Sequence, residues 1–310
     1  MNLKSIFLSM IALALLLGSC MSEKDRLAKA NLDLGSKKNP IKMYFVPSME
    51  ASTVVTSGEA IADYLEKETG YRFKVAVPTS YAAVIEAIGT FQADVAWLPT
   101  FAYVLAQEKY SAEVKFMTIR NGLDKYRGQF VARSDSGIDS LAHIAGKVIA
   151  YTDAASASGY IYPSAILKLQ GVEPGRYTFA GGHPQSITAV YNGTADVGCT
   201  YWSPPDASGK PKDAREKLLE TYPDVFDKIK IVAFTDWIPN DTVTFRRALP
   251  PQIEASLIAA LAKFSQSDDG QEVLRALYDI DGLSPATDAD YDVVRHTLGT
   301  LGMDPQEMLD

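Results

Sequence analysis

Apolar and polar positions along this chain fall into blocks of two periods. Short apolar runs at 41–47, 72–78 and 93–98 have the length and bounding residues of buried strands. Helical patterns stand between them. Ile61, Ala62 and Leu65 share a face after the capping run Thr56-Ser57-Gly58-Glu59, and Gly70 ends that helix. Ala83, Val84, Ala87 and Ile88 follow a Ser80-Tyr81 start, and Pro99-Thr100 opens a further helix. Strands alternating with helices predict a parallel α/β sheet.

The pattern then restarts. Residues 116–120 and 128–133 read as strands that cross between lobes, 138–145 as a helix closed by Gly146, and 147–152 as a strand. A helix over 160–169, a strand at 176–180, a helix near 185–191 and a strand at 195–200 complete a second α/β unit. Strands at 228–235 and 241–246 return, and helices at 251–265, 270–277 and 288–301 end the chain. The layout predicts an α/β fold of two lobes, each a sheet flanked by helices, with a ligand cleft between them. Residues 41–132 with 242–310 form the first lobe, and 133–241 form the second, including the crossings.

The N-terminus changes the picture of where the chain works. Lys4, an apolar core over 6–17 and the small pair Gly18-Ser19 read as a secretory signal over 1–19, too short for a stable membrane span. Leu17-Gly18-Ser19-Cys20 resembles a bacterial lipobox, in which the Cys is lipidated and becomes the mature N-terminus. An ordinary signal with an incidental Cys is the alternative. Residues 20–40 are polar and read as a tether between lipid and domain. The other cysteine, Cys199, lies on a strand and reads as a buried small hydrophobe. A net charge of −8 argues against a nucleic-acid partner. A monomer is expected.

The chemistry gathers at Ser156-Ala157-Ser158-Gly159-Tyr160, which follows the strand at 147–152 and opens a helix. Two hydroxyls and the unpaired N–H groups of a first turn converge at a positive helix terminus, a seat for a small oxyanion. Plain N-capping is the competing use, but one hydroxyl suffices for a cap. No phosphate loop, dinucleotide fingerprint, metal-ligand cluster or nucleophile–base pair stands out, so a binding protein is expected rather than an enzyme, with no cofactor and no metal.

Several pieces together carry a family resemblance. They are Ser80-Tyr81-Ala82 with Gln92-Ala93-Asp94-Val95-Ala96-Trp97, Ser136-Gly137-Ile138 with Gly146-Lys147, the Ser156–Tyr160 run with Pro163, Gly182-His183 with Ala195-Asp196-Val197, and Ile238-Pro239-Asn240-Asp241. In this order and spacing the chain resembles the substrate-binding proteins of phosphate/phosphite/phosphonate ABC transporters (PhnD type), over about residues 41–264. The resemblance implies a type II periplasmic-binding-protein-like fold that captures a phosphorus oxyanion by hinge closure and passes it to an ABC permease. The protein would stand in the cell envelope, held to the membrane through lipid on Cys20.

The resemblance also implies site residues. Tyr81 matches a ligand-donating Tyr, and Ser156, Ala157 and Ser158 match a Ser-Thr-Ser start in which Ala157 replaces Thr. His183 matches a ligand-contacting His, expected to donate to a phosphoryl oxygen that would raise its pKa. Asp241 would accept a hydrogen bond from a protonated ligand oxygen. Thr100 falls where the first lobe faces the cleft; Ser48 and Tyr126 are cleft candidates by position. Aminoalkyl-phosphonate binders of the family carry a Glu after the second-lobe strand. This chain has Thr200-Tyr201-Trp202-Ser203 there, so an amino-bearing ligand is disfavoured, and Tyr201 and Trp202 either cover a small substituent or pack near the hinge. A phosphorylated vitamin such as a thiamine phosphate remains the alternative ligand. An adhesin, a sensor domain or an enzyme on the same scaffold are the more distant readings.

Overall fold

The computed structural model describes residues 21–48, 51–206 and 208–303; the expected leader and Cys20 lie outside them. Two sheets form, one per lobe. The first contains β1 (Ile41–Phe45), β2 (Phe73–Ala76), β3 (Val95–Leu98), β4 (Glu113–Ile119), β11 (Thr242–Phe245) and β12 (Gly282–Pro285), in the order β12-β4-β11-β3-β1-β2. The second contains β5 (Lys125–Arg133), β6 (Val148–Tyr151), β7 (Arg176–Phe179), β8 (Val197–Ser203) and β10 (Ile229–Pro239), in the order β10-β5-β8-β6-β7, with the short β9 (Lys212–Asp213) paired to β8. In each sheet the βα units pair in parallel and the crossing strands join antiparallel. This is the expected two-lobed α/β layout.

The apolar runs are continuous because helices cover both faces of each sheet. Val95 and Trp97 pack with Met43, Phe45, Ile61 and Leu257, while Ala96 and Leu98 pack on the opposite face with Val84, Ile88 and Phe101. Burying one such side chain contributes about 1.5–3 kcal/mol. The Ala-Asp-Val runs do equivalent work in both lobes. Asp94 accepts from the Lys42 N–H (2.9 Å) and Asp196 from the Val148 N–H (2.8 Å), each tying the start of one parallel strand to its neighbour. Asp94 also holds the fully buried Arg246 at 2.7 Å.

Three expectations are corrected. The first crossing lies at residues 120–124, because β5 belongs wholly to the second sheet; a boundary at 132 falls inside that strand. Residues 20–40 are not a free tether over their described part: α1 (Glu23–Asn31) is capped by Ser22 and fastened to the first lobe. Its Asn31 accepts from Arg246 (2.5 Å), its Glu23 pairs with Arg247 (2.6 Å), and Leu34 is buried beyond it. The helix expected to start near Thr56 begins at Ala51, giving α2 (Ala51–Thr69).

The remaining helices set the cleft. In the first lobe these are α3 (Tyr81–Gly89), α4 (Thr100–Tyr110), α8 (Pro251–Gln266) and α9 (Asp268–Tyr278). In the second they are α5 (Tyr162–Leu169), α6 (His183–Tyr191) and the short α7 (Val225–Lys228). The last helix, α10 (Asp292–Leu301), expected with the first lobe, packs against both α4 and α5, and Lys168 donates to the Leu301 carbonyl across the lobes. Asn240 braces the two crossings. Its N–H donates to Asp124 O, and its side-chain amide donates to Thr118 O and Leu123 O, all at 2.9 Å.

Candidate functional site

A cavity of about 70 Å³ lies where the carboxyl ends of both sheets meet the crossings. One water needs about 10–15 Å³ on this measure, so the space suits roughly five to seven atoms of that size. Ser48, Tyr81, Tyr278 and Asp279 line it from the first lobe, and Arg120, Asn121 and Asp241 from the crossings. Tyr126, Ser156, Ser158, His183, Tyr201, Ser203 and Lys212 line it from the second lobe.

The Ser-rich run forms an unusual helix start. Residues Ala157–Ile161 make one π-helical turn before α5, because the N–H groups of both Tyr160 (3.0 Å) and Ile161 (3.1 Å) converge on the Ser156 carbonyl. Ser156 Oγ accepts from the Gly159 N–H at 3.1 Å, so it is a true N-cap whose hydroxyl proton remains free to donate. A Cβ on Gly159 would stand 2.3 Å from Thr152 Oγ1, which explains the glycine. Among the described residues the N–H groups of Ala157 and Ser158 have no acceptor. The turn therefore offers two hydroxyls and two amides at one place. The Ala157 methyl does not line the cavity: it packs in the core with Ile161 and Tyr162.

Tyr81 is the first residue of α3, which Ser80 caps. Burial pushes its phenol well above the usual range, and the charge of Asp153 adds to this. Tyr126 and Tyr278 are pushed up by burial in the same way, so all three are neutral donors. Thr100 is fully buried and does not line the cavity; its hydroxyl donates to Pro239 O at 2.5 Å, behind Tyr126.

Asp241 and Arg120 meet at 2.7 Å. The guanidinium also donates to Tyr278 O (2.8 Å) and Thr118 Oγ1 (3.1 Å). Burial opposes the charge on Arg120, but Asp241 outweighs it and the net shift is upward. Arg120 takes Oδ2 of Asp241, and Oδ1 has no donor among the described residues. The carboxylate is thus charge-compensated while one oxygen stays available.

His183 opens α6 after Gly182. Burial, then the charge of Arg120, pushes its imidazole down to about 3, so the ring is neutral near pH 7. Nδ1 lies 3.2 Å from Thr152 Oγ1, and the ring meets Tyr201 edge-on at 4.9 Å. Tyr201 and Trp202 separate as strand alternation requires. Tyr201 lines the cavity, whereas Trp202 turns to the other face and packs against Phe234 (4.7 Å) and Trp237 (6.4 Å).

Sequence reasoning missed Arg120, Asn121, Ser203, Lys212, Tyr278 and Asp279. Arg120 had a signal, a cation closing an apolar strand at a lobe crossing. Asp279 pairs with Lys217 at 2.6 Å, an ion pair that spans the cleft from the end of α9 to the 3₁₀ turn Ala214–Leu218. Among the described residues no cluster of His, Cys, Asp and Glu could hold a metal, and no helix is long and apolar enough to cross a membrane.

Comparison with known proteins points to one family. A family model described as "ABC transporter, phosphonate, periplasmic substrate-binding protein" matches residues 43–291. The phosphate-import protein PhnD of Mycolicibacterium smegmatis is 27% identical over 288 residues, covering 84% of this chain and 86% of that one. A binding-protein component of an ABC phosphonate transporter from Pseudomonas aeruginosa superposes with a TM-score of 0.74 at 22% identity, covering 84% and 87% of the two chains. PhnD1 of Prochlorococcus marinus, solved with methylphosphonate, has a TM-score of 0.73 at 16% identity, covering 85% and 98%.

Proposed function

Since the chain belongs to the periplasmic substrate-binding family of phosphonate ABC transporters, we propose that its cavity captures a small phosphorus oxyanion (phosphite, phosphate or a small alkylphosphonate) by closure of the lobes. The observation that carries this reading is the meeting, in one small cavity, of the Ser156–Ser158 helix start with the Arg120–Asp241 pair. The hydroxyls, the free amides and Tyr81 supply donors to the oxyanion. Asp241 supplies an acceptor for a protonated ligand oxygen. Sulfate carries no such proton near neutral pH and would leave that carboxylate oxygen facing an anion.

Closure is a rotation about the crossings at 120–124 and 240–241, which Asn240 keeps in register. The family's role outside the cytoplasm, with an ABC permease as partner, fits a lipid on Cys20. Because α1 begins at Glu23, the folded domain would then lie close to the bilayer. The protein acts as a monomer and performs no chemistry on its ligand.

A thiamine phosphate fits less well. Its rings need stacking surfaces on both walls, yet Trp202 is turned away and the cavity is small. Calorimetric titration of residues 21–310 with phosphite, phosphate, methylphosphonate, 2-aminoethylphosphonate, thiamine phosphate and sulfate tests the proposal. At least one of the first three binds below about 100 μM, roughly −5.5 kcal/mol. Failure of all three overturns the ligand assignment.

A further inference from the structure

Thr152, at the end of β6, is fully buried and has one hydroxyl proton to give. Its Oγ1 lies 3.0 Å from the Cys199 carbonyl and 3.2 Å from Nδ1 of His183. The carbonyl can only accept, so the proton goes to Cys199, and Oγ1 accepts from Nδ1–H. A neutral imidazole that carries its proton on Nδ1 has a bare lone pair on Nε2. Nε2 has no partner among the described residues, and His183 lines the cavity. Nε2 of His183 and Oδ1 of Asp241 are thus acceptors without a donor among the described residues; Oδ1 of Asp279 also lacks one, but that side chain is 39% exposed at the rim and is solvated there.

We infer that Thr152 is a positioning residue that locks His183 as the Nδ1–H tautomer, and that the two resulting acceptors select an oxyanion monoanion with two P–OH groups: dihydrogenphosphate over hydrogenphosphite or an alkylphosphonate. This rests on the reading of the cavity as a phosphorus-oxyanion site. The monoanions of phosphite and methylphosphonate each have one hydroxyl, so one acceptor would face an ionised oxygen or a substituent that cannot donate. Dihydrogenphosphate satisfies both and keeps two oxygens for the Ser156–Ser158 turn and the tyrosines.

The charges facing His183 leave this arrangement in place. Arg120 is paired with Asp241, Asp279 with Lys217, and Lys212 with Glu216 (3.3 Å). Asp153, on the turn after Thr152, accepts from the Ala155 N–H at 2.8 Å. Among the described residues none of these carboxylates hydrogen-bonds or ion-pairs with His183, in keeping with its depressed pKa.

Two measurements test the inference. The ¹⁵N chemical shifts of the His183 ring in unliganded protein should show a protonated Nδ1 and a pyridine-like Nε2; the opposite tautomer overturns the lock. Calorimetry near pH 5.5, where all three ligands are monoanions, should rank phosphate at least tenfold tighter than phosphite and methylphosphonate. Phosphate affinity should then fall about tenfold per pH unit above its second ionisation, because only the competent fraction binds. Equal affinities, or a pH-independent phosphate affinity, overturn the selection. Thr152→Val frees the ring to turn Nε2–H toward the cavity and should narrow the ranking, whereas Thr152→Ser should keep it. If none of the three ligands binds at any pH, the oxyanion reading itself fails, and the tautomer measurement still judges Thr152 alone.

Discussion

Arg120 and Asp241 meet at 2.7 Å although 121 residues separate them, because Arg120 follows β4 and Asp241 precedes its antiparallel partner β11 where the chain passes between lobes. The ion pair neutralises a carboxylate that would otherwise repel an anion from the cavity. It leaves the other carboxylate oxygen without a donor among the described residues.

Asp241→Asn should weaken the preferred oxyanion by about 1–3 kcal/mol, the usual cost of a lost charged hydrogen bond at a desolvated site. It also uncovers the charge of Arg120, so sulfate should gain affinity relative to the native protein. Calorimetry with both anions checks the two effects together; unchanged affinity for both would remove Asp241 from the site.

Gly159→Ala places a methyl 2.3 Å from Thr152 Oγ1 and 2.9 Å from Ser156 Oγ. Both neighbours are buried side chains held by hydrogen bonds, so the turn must deform. Overpacking of this kind costs about 1–3 kcal/mol. The denaturation midpoint should fall with unchanged m-value, and oxyanion affinity should fall as well.

The Lys217–Asp279 pair joins the lobes at the cavity rim, and both side chains are partly exposed (24% and 39%). Pairs this accessible are worth about 0.2–1 kcal/mol. Lys217→Ala should therefore leave global stability nearly unchanged while speeding ligand release by up to about fivefold, the kinetic equivalent of that energy. Stopped-flow displacement at low and high salt reads the effect; salt should mimic the substitution in the native protein.

Local patterns were legible in the sequence, and contacts between distant residues were not. The runs around Met43 and Val95 read as buried strands because both faces are covered, and Ser156 read as a helix start because its hydroxyl caps one. The π-turn did not read: it rests on the Tyr160 and Ile161 N–H groups sharing the Ser156 carbonyl and on the Gly159 carbonyl accepting from the Thr152 N–H at 3.2 Å. Arg120 was recognised only as a strand end; its place in the site comes from Asp241 and from Tyr278, 158 residues away. Lys212 reaches the cavity only because β9 pairs with β8. Trp202 could have been placed: Val197 and Cys199 share one core, so residue 202 belongs on the opposite face. The helix α1 also carried a signal, Ser22 three residues before Asp25, hidden by its polar surroundings.

His183 makes the stability of the empty protein depend on pH. Its folded pKa is pushed down to about 3, first by burial and then by Arg120, from an unfolded value near 6.5. Between these values the unfolded chain binds a proton that the folded protein does not. Stability is therefore fully present above about 6.5 and is lost as pH falls toward 3. Urea midpoints between pH 7 and pH 4 should decline, and His183→Gln should flatten the decline. Phosphate should raise the midpoints across this range and leave the decline in place, since it adds stability wherever the folded state alone binds it and His183 stays neutral in the complex. A His183→Gln variant with the same slope as the native protein would show that another group governs the acid side.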